Sequence, residues 1–204
     1  MIRELPIIMC AEEVKAIYED RKSNMRRLID LPSDVEWQFE AKMKDGTYCF
    51  EHGKGLGYGC CFRKPRYQVG DELWVCQAWA ADRQYDSLPP RAIPTASSIW
   101  FSDELGWKHD KHMGKVRSSY FMRKDFARLW LRVTAVKDPR QIQEMSINDI
   151  RAEGVCDTRT PQNEIVETYY EKFSQLWNRL HKKPGERWED DPWVFPTVFK
   201  RIER

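Results

Sequence analysis

The segment Arg128–Val136 most constrains what this chain can fold into. Leu129, Leu131, Val133 and Ala135 alternate with Trp130, Arg132 and Thr134, the period of a strand with one face buried. Shorter strand-like runs precede and follow it at Leu5–Met9, Asn24–Ile29, Glu72–Ala80, Ile99–Phe101 and Trp193–Ile202. Trp37-x-Phe39 and Tyr48-x-Phe50 flank Lys44-Asp45-Gly46, a hairpin pattern. Helical spacing marks Ala11–Asp20, with Glu12 and Glu13 at its start and Arg21 and Lys22 at its end, as the helix dipole favours. Ser146 and Asp149 predict a capping box, closed by Gly154. Asn163 is expected to cap a longer helix that aligns Ile165, Tyr169, Phe173, Leu176, Trp177 and Leu180. Pro196 predicts an edge or a bulge in the last strand. Strands outnumber helices and do not alternate with them. That order argues against a doubly wound sheet and for an α+β barrel with flanking helices. Residues 1–204 read as a single domain, with irregular insertions near 32–67 and 82–117.

The rest of the composition narrows the chemistry. No run approaches the ~20 apolar residues of a membrane span, and the first residues lack the apolar core of a signal peptide. A cytoplasmic protein with no membrane partner is expected, its six cysteines reduced. Cys49, His52, Cys60 and Cys61 do not match a zinc knuckle, because adjacent cysteines chelate one ion poorly; neither a metal nor a cofactor is expected. His109 and His112 read as solvated loop residues. The Gly53–Gly59 loop lacks the Gly-Lys-Ser/Thr of a phosphate cradle and reads as a turn. Net charge is only +2. The cations nevertheless cluster at Arg21, Lys22, Arg26 and Arg27, at Arg63, Lys64 and Arg66, and at Arg123, Lys124 and Arg128. Such clusters are either solvated faces or a groove for phosphates. Arg26, Arg27, Lys124 and Arg128 are the candidate phosphate contacts, and Trp79 or Trp100 the candidate base-stacking residue.

Three segments together resemble the ASCH domain of the PUA-like superfamily, in its long phage and prophage "morphogenetic protein" form. They are Asp20-Arg21-Lys22-Ser23-Asn24-Met25-Arg26-Arg27, then Gly70-Asp71-Glu72-Leu73-Trp74-Val75-Cys76-Gln77-Ala78-Trp79-Ala80, then Met122–Val136 with Ile147–Gly154. Leu176-Trp177 and Pro192-Trp193-Val194 form a similar ending. The resemblance implies a PUA-like β-barrel beside a cleft for RNA, DNA or a modified nucleoside, in a bacterium or a phage-infected host. It also implies an alternative activity, amide hydrolysis of N4-acylated cytidines, and a third role in phage assembly. The family's hydrolases use a Lys, a Thr and a Glu. Lys22 and Glu153 match the first and last, and the Thr falls on Met25. Ser23 lies two positions away and, on a strand, is expected to share a face with Met25. Lys22, Ser23 and Glu153 are therefore the catalytic candidates. Gln77 replaces an acidic residue of the second motif and joins the candidate binding set.

Overall fold

The computed structural model describes residues 2–32, 35–53, 57–102, 110–156, 158–159 and 165–204. Asn163, His109 and the centre of the Gly53–Gly59 loop lie outside the described residues. In chain order the elements are β1 (Glu4–Ile8), α1 (Ala11–Tyr18), β2 (Asn24–Leu28), β3 (Gln38–Lys42), β4 (Tyr48–His52), β5 (Gly59–Arg63), β6 (Glu72–Cys76), β7 (Trp79–Ala81) and β8 (Ile99–Phe101). There follow β9 (Trp130–Val136), β10 (Arg140–Gln141), α2 (Ile147–Ala152), β11 (Thr158–Arg159), β12 (Ile165–Glu167), α3 (Tyr169–Leu180) and β13 (Trp193–Ile202). The fold is mixed α+β and strand-rich. Its residues form two compact units: Met1–Lys22 with Gly70–Val133 and Phe199–Arg204, and Ser23–Val69 with Thr134–Val198.

In the first unit β1 runs parallel to β6, Leu5 against Leu73, and β6 antiparallel to β9, Leu73 against Leu131. Leu73, Leu131, Val75, Val133 and Ile7 are all buried, so the alternation of Arg128–Val136 does face a core. Trp130 on the opposite face is buried too, because the side chains of Arg204 and Lys124 lie over its ring. Helix α1 starts where the Glu13 carboxylate accepts the Cys10 backbone N–H, and it buries Val14, Ala16 and Ile17. Asp20 then turns the chain at φ 55°, and the N–H groups of Arg21 and Lys22 both donate to the Ala16 carbonyl. The run Glu72–Ala80, expected as one strand, is two: β6 stops at Cys76, and β7 pairs antiparallel with β8. A second core explains the break. Trp79, Ile93, Phe101, Met122 and Phe126 cluster there, and an apolar run cannot show that it serves two cores.

In the second unit β13 pairs antiparallel with β2 and with β10. Pro196 is thus in an interior strand, not at an edge. Ile29 N–H donates to Trp193 O, which makes alternate pairs hydrogen-bonded and leaves Pro196 opposite Arg26 at a position that needs no N–H. On its other side the Pro196 carbonyl accepts from Lys137 N–H. The three-stranded sheet β3-β4-β5 packs Tyr48 and Phe50 with Ile29 and Phe195. Gly46, at φ 79°, turns the β3–β4 hairpin. Helix α3 opens at Thr168, whose hydroxyl and Glu171 cap reciprocally. Ile165 belongs to β12, not to this helix. Phe173 and Trp177 of α3 pack with Ile150 of α2, Ile142 and Val194.

Candidate nucleic-acid interface

The candidate residues separate into a buried polar set and an open basic cleft. Arg26 and Glu153 belong to the buried set in the second unit. Ser23 N–H donates to the Ala152 carbonyl, which ties the start of β2 to the end of α2. Three residues on, Arg26 Nη1 donates to Glu153 Oε1 at 2.6 Å, and Arg26 Nη2 lies 3.2 Å from Asp149 Oδ1. Their side chains are 1% and 6% exposed for Arg26 and Glu153. Asp149 also accepts from Ser146 and lies 3.7 Å from Lys137 Nζ. Burial pushes the Asp149 carboxyl up, but the Ser146 hydrogen bonds and the charges of Arg26 and Lys137 together hold it below its ordinary value. Arg26 is therefore engaged by carboxylates and offers no surface to a phosphate in this conformation. Arg27 is half-buried, its Nε without a hydrogen-bond partner among the described residues.

Lys22 lies in the first unit, buried, with Nζ 3.4 Å from Glu13. Ser23 is exposed while Met25 is buried, so the two do not share a face as strand alternation predicts. The reason is that β2 begins only at Asn24. Register places Thr197 of β13 opposite Met25, and its side chain is buried. Gln77 is buried, and its backbone N–H points to Met122 Sδ at 3.4 Å. Trp79 is 0% exposed, 5.3 Å from the Phe126 ring and under the guanidinium of Arg117. Its ring presents no face to a base; Trp74, five positions earlier in the same apolar run, is half-buried.

Lys124 and Arg128 instead open onto a cleft of about 740 Å³ in the first unit, lined chiefly by Tyr18, Lys124, Arg128, Trp130, Arg201 and Arg204. That volume falls within the range of small-molecule and nucleotide-sized pockets. Arg128 lies 5.6 Å from the Tyr18 ring and 4.3 Å from Phe101, and Arg201 lies 5.7 Å from Tyr18. Arg204 lies 4.1 Å from the Trp130 ring and Lys124 5.7 Å from it. Aromatic faces thus lie beside all four cations of the cleft. Glu4 bonds both Lys124 and Arg204, and Arg204 also reaches Glu72 at 2.7 Å. Hydrogen bonds from Lys124 and Arg204 hold the Glu4 carboxyl below its ordinary value, and Glu4 raises Arg204. Among the described residues Arg201 makes no ion pair. The lining sets four cations against Asp125 and Glu203, and Glu4 adds a third carboxylate bonded to Lys124 and Arg204, which leaves a small positive excess. Arg201 and Arg204 are missed by sequence reasoning. Their only signal is the spacing of cations in Lys200-Arg201-Ile202-Glu203-Arg204, directly after an apolar strand.

Among the described residues no group of three His, Cys, Asp or Glu could hold a metal ion. Cys60 and Cys61 fall on opposite faces of β5, Cys60 exposed against Glu51 and Cys61 packed against Phe50. Among the described residues no helix is long and apolar enough to cross a membrane. Comparison with known proteins finds no matching family model, no matching curated protein and no matching solved structure.

Proposed function

We propose that this chain is a nucleic-acid-binding protein of the ASCH, PUA-like type, and that it holds RNA or DNA through phosphate contacts in the basic cleft of its first unit. The observation that carries this reading is the set of four cations, Lys124, Arg128, Arg201 and Arg204, on one open cleft over Tyr18 and Trp130. The resemblance of three sequence segments to that family supports the same class. A small positive excess implies a shallow salt dependence, with log affinity falling on log salt by a slope of about −0.7 for each phosphate contacted on a single strand. Binding is then weak and uniform across sequences, because phosphates carry no base identity.

Hydrolysis of a modified nucleoside has less support. It needs an activated hydroxyl near Lys22, and position 25 is a buried methionine while Ser23 is exposed. Fluorescence anisotropy with mixed-sequence RNA and DNA oligomers, titrated at several salt concentrations, tests the proposal. The double variant Arg128→Glu/Arg201→Glu should lose at least 10-fold in affinity and flatten the salt slope. Absence of binding at low salt, or unchanged binding by the variant, overturns it. Release of product from an N4-acylated cytidine, abolished in Lys22→Ala, would replace binding with hydrolysis.

A further inference from the structure

Between the second core and the basic cleft the first unit carries a feature that no folding argument requires. Tyr120 is 81% exposed and Phe121, next to it, 64% exposed. Isolated exposed apolar residues are ordinary, but two consecutive solvent-facing aromatic rings are not. The segment that carries them is held at both ends. On one side Arg117 and Trp79 exchange backbone hydrogen bonds at 2.7 and 3.1 Å, and Arg117 Nη2 donates to the carbonyls of Tyr85 and Leu88 at 3.0 Å. On the other side Met122 is buried in the Trp79 core. Between them Ser119–Phe121 forms a single 3-10 turn, started by the Ser118 hydroxyl accepting Tyr120 N–H and closed by Phe121 N–H to Ser118 O and Met122 N–H to Ser119 O. The two rings are therefore displayed by a fixed turn anchored on buried neighbours.

Lysines flank the turn along the chain. Lys115 is exposed and makes no ion pair among the described residues. Lys124, a wall of the basic cleft, follows Phe121 by three positions, a chain distance of at most about 11 Å. A polyanion whose repeating unit also carries a flat π-face would match both features.

We propose that Tyr120 and Phe121 form a preformed platform on which unpaired bases stack while the adjoining phosphates enter the cleft at Lys124, Arg128 and Arg201. The ligand class is single-stranded nucleic acid, read without sequence preference, since every base offers a π-face. This rests on the nucleic-acid reading above and deepens it, because phosphate contacts alone do not separate single strands from duplexes. Bases within a duplex are already stacked on each other and have no free face for the rings.

Tyr120 and Phe121 are exposed, so their removal leaves the core intact. In Tyr120→Ala/Phe121→Ala, affinity for a mixed single-stranded oligomer should fall about 10- to 100-fold. The salt slope should stay that of the wild type, because no phosphate contact is lost. Duplex affinity should not change. An oligomer carrying 2-aminopurine should lose fluorescence on binding the wild-type protein and keep it with the double variant, while Tyr120→Trp/Phe121→Trp should restore quenching. Equal single-strand affinity of wild type and the alanine variant, with binding and its salt slope intact, overturns the platform and leaves the cleft standing. Loss of duplex and single-strand affinity together would make the turn a structural support of the cleft and also overturn it. No binding of either form at low salt overturns both proposals.

Discussion

Removing Glu153 isolates a charge that the protein has taken out of water. The Arg26 side chain is 1% exposed, its Nη1 is 2.6 Å from Glu153, and its Nε has no hydrogen-bond partner among the described residues. Breaking a buried pair from one side costs about 3–5 kcal/mol, since the remaining ion stays desolvated. Asp149, 3.2 Å from Arg26, persists and softens the loss, so the lower end applies. Glu153→Ala should therefore cost about 3 kcal/mol. For a chain of this size that lowers the melting temperature by about 6–12 °C. Urea unfolding followed by tryptophan fluorescence measures it. Glu19→Ala, which breaks the exposed pair with Arg21, is the control and should cost far less, because both charges stay in water. Replacing both partners, Arg26→Met with Glu153→Leu, should recover at least half of the loss, because no unpaired ion is left. A Glu153→Ala effect no larger than that of the control would refute the reasoning, as would a double variant no more stable than the single one.

The two remaining predictions concern titration and thiol access. Hydrogen bonds from Arg132 and then Arg204 outweigh burial and hold the Glu72 carboxyl below its ordinary value. A depressed carboxyl stabilises the folded state above its unfolded pKa, and the benefit is lost as pH falls through the folded value. The stability gap between wild type and Glu72→Gln should be full above the ordinary carboxylate range and close as pH falls below it; a gap that widened on acidification would reverse the assignment. Among the cysteines, Cys60 and Cys156 are exposed, whereas burial pushes the Cys10 thiol up to about 12 and Cys76 up to about 11. Mass-spectrometric mapping after a brief thiol-reagent pulse on native protein should find Cys60 and Cys156 modified and Cys10 and Cys76 intact.

Local signals were the legible ones. Alternation marks β9, Lys44-Asp45-Gly46 marks the β3–β4 hairpin, and Ser146 with Asp149 marks the start of α2. Where a local signal competes with periodicity, the local signal describes the chain better. Thr168 and Glu171 form the true cap of α3, while Ile165 fits the helical spacing by coincidence from a neighbouring strand. The mixed α+β class follows from such elements; which strands become neighbours does not. The pairing of Arg26 with Glu153 spans 127 positions and leaves no periodic trace. The difference in burial between Trp74 and Trp79 is equally opaque, because both lie in one apolar run that divides between two cores. The cleft joins Tyr18, Lys124 and Arg201 from three distant segments, so its charge is dispersed in the sequence and gathered only by the fold.

The division of the chain into interleaved units has a consequence for how the protein is made. The first unit draws on three separate stretches, and the chain enters it again only at Phe199. Arg204 completes the carboxylate cluster at Glu4 and Glu72, a closure across 200 positions. During synthesis β1 and α1 leave the ribosome long before the residues that finish their unit. β1 waits for its partner β6 while Ser23–Val69 is made, and Glu4 and Glu72 wait for Arg204 while Thr134–Val198 is made. Contacts of such long range slow folding and leave strand edges open in the interval. Any uninterrupted fragment that contains one unit also carries part of the other, so the two halves of the chain expressed separately should need each other's presence to fold.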